Sequence, residues 1–158
     1  MYKENTVYVL RHKENIVYAY PIDIGQDDTA VWATSQFIPE FHTQADTMEE
    51  LHARQAPDGM ISALSCYVDL QVRIPVPDRA PSGDGVYLPL LSMAQVRLWN
   101  AMCDQSITHE ELARRLKVSI AATHKLTDLC ADPEIKDIER AVSVMGLRLC
   151  LTIQPMEI

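Results

Sequence analysis

The sequence holds no apolar run long enough for a bilayer: its apolar runs, such as residues 60–64 and 86–91, fall far short of the roughly 20 residues a spanning helix needs. The N-terminus, Met1-Tyr2-Lys3-Glu4-Asn5, has no apolar core of a signal peptide, so the chain is expected to be cytoplasmic, with no membrane partner. Positive charge is in the minority, with 14 Lys+Arg against 22 Asp+Glu, a net charge of -8 and a pI near 5.0. That balance excludes a protein that coats nucleic acid along its whole surface, because phosphate binding needs a positive field. Any nucleic-acid contact must come from a local basic patch. Cysteine pairs are missing too: Cys66, Cys103, Cys130 and Cys150 stand 37, 27 and 20 residues apart, with no C-x-x-C, and are expected to be reduced thiols in core positions. His12, His42, His52, His109 and His124 never fall three or four residues from one another or from a cysteine, so no metal and no cofactor is assigned. A glycine-rich phosphate loop is also absent.

What is present suits a packed core: 158 residues, 47% hydrophobic and 23% charged, enough for one large domain or two small ones. The first half reads as strands over residues 5–11, 16–24 and 30–35, with Gly25-Gln26-Asp27-Asp28 as a turn. Asp46 or Thr47 is positioned to cap a helix that Glu49 and Glu50 favour. Pro57-Asp58-Gly59 predicts a kink or a break before residues 60–70 resume an apolar face. Residues 74–85 concentrate Pro and Gly and read as a linker, followed by one more strand over 85–90.

From Ser92 the period becomes 3.6. Met93, Val96, Leu98, Trp99 and Met102 mark an amphipathic helix, and Thr108-His109-Glu110-Glu111 is a capping box in which the Thr108 hydroxyl and the Glu111 carboxylate each reach a free amide. The helix that Thr108 opens pauses at Lys117-Val118 and restarts from Ser119. Further helices are expected over 128–131 and 133–145, then a final strand over 147–154.

Leu112-Ala113-x-x-Leu116, followed by Thr123 and Leu126, is the spacing of a helix-turn-helix. Ala113 must be small where the helices cross, and Leu112, Leu116 and Leu126 seal the pair. Lys117 stands where many such turns carry a left-handed glycine, at a cost of roughly 1 kcal/mol. Between Leu112 and Thr127 lie Arg114, Arg115, Lys117 and Lys125 and no acidic residue, which is the basic patch that the composition requires. Docking geometry makes Ile120, Ala121, His124 and Lys125 the candidate base readers, and Thr108 and Ser119, at helix N-termini, the candidate phosphate contacts; Thr123 is expected to be buried. The plainer alternative is a packed helical hairpin with a solvated basic edge, in which Arg114 and Arg115 pair with Glu110 and Glu111.

Asp23, Asp27, Asp28 and Asp46 could be gathered into a divalent-metal site for nuclease chemistry, but turn and cap roles account for Asp27, Asp28 and Asp46 more simply. Trp32 and Phe37 read more readily as core than as stacking platforms.

Tyr20-Pro21, Asp27-Asp28, a strand ending at Phe37, Pro39, Thr43-Gln44-Ala45-Asp46-Thr47-Met48-Glu49-Glu50, Ile74-Pro75-Val76-Pro77 and Val86-Tyr87-Leu88-Pro89 follow one another in an order that resembles the HicB antitoxins. Asn100-Ala101-Met102, residues 107–116 and Ala141-Val142-Ser143-Val144-Met145-Gly146 look like the helix-turn-helix subclass of that family. The resemblance implies an α+β fold. A β-β-β-α-β unit similar to a truncated ribonuclease H fold, residues 1–91, would bind a small basic HicA-type toxin that cleaves mRNA. An all-α helix-turn-helix unit with a terminal strand, residues 92–158, would bind operator DNA and pair with its twin, as a dimer or tetramer. The toxin would be neutralised by occlusion of its RNA-binding face and catalytic histidine, with no catalysis by this chain. Asp23, Asp27, Asp28, Trp32, Phe37 and Phe41 are the candidate toxin contacts.

Three departures from the family pattern stand out. Pro39-Glu40-Phe41-His42 replaces its usual proline-glycine, Pro57-Asp58-Gly59 interrupts the first helix, and residues up to Asn15 precede the usual start, as an added edge strand or from an upstream start codon. The competing reading is a stand-alone helix-turn-helix regulator whose N-terminal unit senses a ligand or a protein. Residues 1–91 hold 6 Lys+Arg and 13 Asp+Glu, net -7, while residues 92–158 hold 8 and 9, net -1, so the acidity belongs to the first half.

Overall fold

The computed structural model describes residues 19–151 and 153; the strand expected over 5–11 lies outside them. Strand β1 (Ala19–Pro21) pairs antiparallel with β5 (Gly85–Tyr87), and β2 (Asp23–Gln26), β3 (Val31–Thr34) and β4 (His42–Ala45) form a separate antiparallel meander. The strand expected over 16–24 is therefore divided at Ile22. Pro21 has no amide to continue a ladder, and the chain changes partner there: the Ile22 amide bonds the Asp84 carbonyl at 3.1 Å, after which β2 runs against β3.

Gly25 lies within β2 rather than in a turn, because the Trp32 indole rests on it; a Cβ there would fall 2.4 Å from the ring. The turn is tighter, closed by the Asp27 amide on the Ala30 carbonyl at 3.0 Å. Strand β4, His-Thr-Gln-Ala, carries little strand signal and forms through its register with β3, where Val31 pairs with Ala45 and Thr34 with His42.

Thr47 is the cap of the first helix, accepting the Glu50 amide at 3.1 Å. From there α1 (Met48–Glu50), a π-helical turn over Leu51–Gln55 and α2 (Ala56–Asp69) run on without a break, in place of the expected interruption at Pro57-Asp58-Gly59. The π turn absorbs the proline. The Ala56 amide bonds Leu51, five residues back, and Pro57 falls in the first turn of α2, where no amide donor is needed.

Helix α3 (Leu90–Gln105) starts two residues before the expected position and is packed on two opposite sides, with Leu90, Arg97 and Asp104 along the side that stays partly open to solvent. Val96 and Trp99 enter a core built from Tyr20, Ile22, Val31, Ala33, Ile38, Phe41, Leu51, Met60 and Leu64, while Ala94, Leu98 and Met102 enter a second core with Leu112, Leu116, Leu126, Ile138, Ala141 and Val142. These sets recur every three or four positions on opposite sides of one helix. Helices α4 (His109–Leu116), α5 (Ile120–Thr127) and α6 (Ile135–Val144) surround the second core. Residues 128–131 form a turn and not a helix, because the Asp128 carboxylate accepts the Cys130 amide at 2.9 Å and its carbonyl accepts the Ala131 amide at 3.0 Å. The strand expected over 147–154 is not formed among the described residues, where no other strand runs alongside to share hydrogen bonds. Cys66, Cys130 and Cys150 are exposed and Cys103 is half-buried, so the thiols are free but are not core residues. No helix among the described residues is long and apolar enough to cross a membrane.

The proline-rich segment is not a free linker. Ile74 is fully buried; its amide donates to Asn100 Oδ1 at 2.8 Å and its carbonyl accepts Asn100 Nδ2 at 2.9 Å. Trp99 Nε1 donates to the Val72 carbonyl at 2.8 Å, Arg73 pairs with Asp104 at 2.8 Å, and the Tyr20 hydroxyl donates to the Pro75 carbonyl at 2.8 Å. Replacing Asn100 with Ala would orphan two buried backbone groups at once, so Asn100→Ala is expected to lower unfolding stability by about 2–4 kcal/mol in urea titration. A loss under 0.5 kcal/mol would contradict this role.

Candidate functional site

Helices α4 and α5 are defined first by their caps. Thr108 stands in extended backbone and accepts the Glu111 amide at 3.1 Å, and Ser119 repeats this with the Ala122 amide at 3.1 Å. Between them Lys117 adopts the left-handed conformation at φ 57°, as its place in the spacing predicts. The amides of Lys117 and Val118 then turn back onto the carbonyls of Arg114 and Ala113, at 3.3 and 3.1 Å. Leu112, Ala113, Leu116 and Leu126 are buried, and so is Thr123, whose hydroxyl donates to the Ile120 carbonyl at 2.6 Å.

The exposed face of α5 carries Ile120, Ala121, His124 and Lys125 together, with Thr108, Lys117 and Ser119 also exposed. Arg114 and Arg115 are different. Both pair with Glu111, Arg115 at 2.7 Å, and Arg115 Nη1 also reaches the Val144 carbonyl at 3.4 Å. Glu111, expected to reach back to its helix cap, is held by these guanidiniums instead. Arg114 is 77% exposed and can exchange a weak surface pair for a phosphate. Arg115 joins α4 to the end of α6, which makes it a structural side chain before it is a free cation.

His109, which the sequence did not single out, is held between two rings. It stacks on Trp99 of α3 (centroids 5.9 Å apart, planes at 25°) and on His124 of α5 (3.9 Å, 21°), and its Nε2 shares a hydrogen bond with the Thr127 hydroxyl at 2.9 Å. No short-range pattern links these residues; only the crossing of three helices does. Beside them a groove of about 430 Å³ separates Ser65, Val68 and Asp69 of α2 from Ala121, His124 and Lys125 of α5.

In the first half, Asp23, Asp27 and Asp28 are exposed. Asp27 Oδ1 accepts the Thr29 hydroxyl and amide, both at 2.7 Å, and the Ala30 amide at 3.0 Å, bonds that hold its carboxyl below the usual range. The turn role thus accounts for Asp27. Among the described residues no three His, Cys, Asp or Glu side chains converge on a point that could hold a metal. Trp32 alternates with buried Val31 and Ala33 and so lies half-buried on the outer face of the meander. Phe37 is 38% exposed, its ring 6.1 Å from Tyr20, and belongs to the surface more than to the core. Phe41 is 1% exposed inside the first core, so it is withdrawn as a surface contact; the Phe41 amide bonds the Ile38 carbonyl at 2.9 Å in a turn that drives the ring inward.

Burial, and then the charge of His124, push the His109 pKa below its ordinary value, against an opposite pull from Glu110. The unfolded chain therefore binds this proton more readily than the folded one. The stability involved is fully present above about pH 6.5 and is lost as the pH falls below it. In thermal melts across pH 5 to 7.5, His109→Phe should flatten that part of the acid loss; curves parallel to the parent protein would refute the assignment.

Residues 19–97 match the family model described as the HicB-like antitoxin of bacterial toxin-antitoxin systems. Over 142 residues the chain is 34% identical to a protein named Antitoxin HicB from Pseudomonas fluorescens (strain Pf0-1), covering 89% of this chain and 97% of that protein. It is 35% identical over 137 residues to Antitoxin HicB 1 of Photorhabdus laumondii, covering 85% and 86%, and 31% identical over 117 residues to Antitoxin HicB of Escherichia coli (strain K12), covering 73% and 84%. The family match takes in both sheets, the helix between them and the first half of α3, and the longest pairing necessarily reaches beyond it into the second core. With its N-terminal half matched and its relatives aligned over most of their length, the chain belongs to the HicB-like antitoxin family of bacterial toxin-antitoxin systems.

Proposed function

We propose that this chain neutralises a small basic HicA-type, mRNA-cleaving toxin with its N-terminal half and represses its own operon by binding operator DNA through α4 and α5. In this reading residues 1–91 form a truncated ribonuclease H-like toxin-binding unit, and residues 92–158 a helix-turn-helix and pairing unit, acting in the cytoplasm without catalysis. The observation that carries the DNA-binding part is the pair of capped helices joined at left-handed Lys117, with Ile120, Ala121, His124 and Lys125 exposed together on the second helix. Such a pair inserts its second helix in a major groove while the N-termini at Thr108 and Ser119 receive phosphates. The toxin-binding part is supported by the family and by the charge: Asp23 and Asp28 are exposed in a half with net charge -7, which also carries Trp32 on the outer face of the meander and the exposed Phe37. An acidic surface with aromatic anchors complements a basic protein. Pairing of two copies through residues 147–154 fits Leu151 and Ile153, 69% and 90% exposed, and would set two recognition helices on half-sites about 34 Å apart or a multiple of that.

Co-expression with the small basic protein encoded beside this gene should yield a stable complex and relieve growth arrest. If neither occurs, the antitoxin reading fails in favour of a stand-alone regulator. Lys125→Ala should weaken operator binding and reduce the slope of log affinity against log salt by about 0.9, leaving toxin binding unchanged. Loss of both activities in a folded variant would contradict the division of labour between the halves.

A further inference from the structure

Trp99 is fixed from both directions: its ring is buried in the first core and its Nε1 donates to the Val72 carbonyl at 2.8 Å. His109 lies against that fixed plane at 5.9 Å and is held in rotation by the 2.9 Å hydrogen bond to Thr127, itself 1% exposed. His124 is exposed, stacked on His109 at 3.9 Å and 21°. An imidazole on a free helix surface samples several rotamers, and ordering it on binding costs affinity. Here the ring is ordered in advance by the two planes beneath it.

We propose that His109 is a positioning residue that orients the His124 ring toward nucleic acid, with Trp99 as the anchored end of the stack. The inference rests on the operator-binding reading above. It adds His109, which the sequence did not single out, to the candidate reader His124 and gives the two distinct roles. The half-buried one is a neutral platform, and the exposed one is the member that can face a phosphate or a base edge. Two imidazolium rings at 3.9 Å would repel, so the arrangement works while the inner ring is uncharged. The charged groups around it are Glu110 beside His109, and Asp69, Lys125 and Asp128 along the groove next to His124.

The test uses the full chain and the DNA upstream of its own gene, with dissociation constants for His109→Ala, His109→Phe, His124→Ala and the His109→Ala/His124→Ala double variant, each checked for folding by thermal melting. His109→Ala should weaken binding roughly 3- to 10-fold, the range of a lost ring-ring contact. His109→Phe, which keeps the flat ring without the proton, should stay within about 2-fold of the parent, and the double variant should be no weaker than His124→Ala. Should His109→Ala not fold, His109→Leu takes its place, filling the site without a flat ring. Additive losses in the double variant, an unaffected His109→Ala, or a His109→Phe as weak as His109→Ala would overturn the proposal while leaving operator binding intact. A parent protein that does not prefer this DNA over an unrelated fragment would overturn both.

Discussion

Asn100 bonds the amide and the carbonyl of buried Ile74 from a helix packed between two cores, and most of the molecule is arranged around that helix. A helix with apolar stripes on two opposite sides must be packed on both. The two cores enclose α3 from opposite directions, and its polar side chains are directed at backbone that no strand or helix satisfies: Trp99 at Val72, Asn100 at Ile74, and Gln95 Nε2 at Asp128, at 2.7 Å. Buried donors and acceptors left unpaired would cost more than such bonds return, which is why the loop after α2 follows α3 so closely.

That arrangement sets the site. Gln95 and Leu129 hold the turn after α5 against the first core, so α5 is seated on both halves of the chain and not on its own hairpin alone. The same helix α3 supplies Trp99 to the His109–His124 stack. Charge is divided along a different line: the acidic surplus is in the first half of the chain, and Arg114, Arg115, Lys117 and Lys125 cluster on α4, α5 and the turn between them, where Glu111 engages two of them. The acidic and the basic surfaces keep separate local fields, since each is screened within about 8–10 Å.

Much of the site was legible because it depends on short-range chemistry. Thr47, Thr108 and Ser119 cap helices through their own side chains three residues on, and the left-handed turn at Lys117 follows from the spacing of Leu112, Ala113 and Leu116. The parts that escaped depend on partners distant in the chain. His42–Ala45 is polar and becomes a strand only through β3; Pro57 is tolerated because a π turn precedes it; Phe41 looks like a surface aromatic until a turn at Ile38 directs it into the core. Residues 74–85 have the composition of a linker, and Asn100 at Ile74 and Tyr20 at Pro75 make part of them a fixed layer of the fold.

The sequence by itself determined the family, the change from strands to helices near residue 90, the acid-to-neutral partition and the two capped helices, because composition, period and capping act within a few residues. Tertiary structure alone decided that α3 serves two cores, that Arg115 is committed to Glu111 and Val144 while Lys125 is exposed, and that Trp99, His109 and His124 form one stack. These last relations join side chains on three different helices. No period or local preference encodes them; they exist only where packing brings the three helices together.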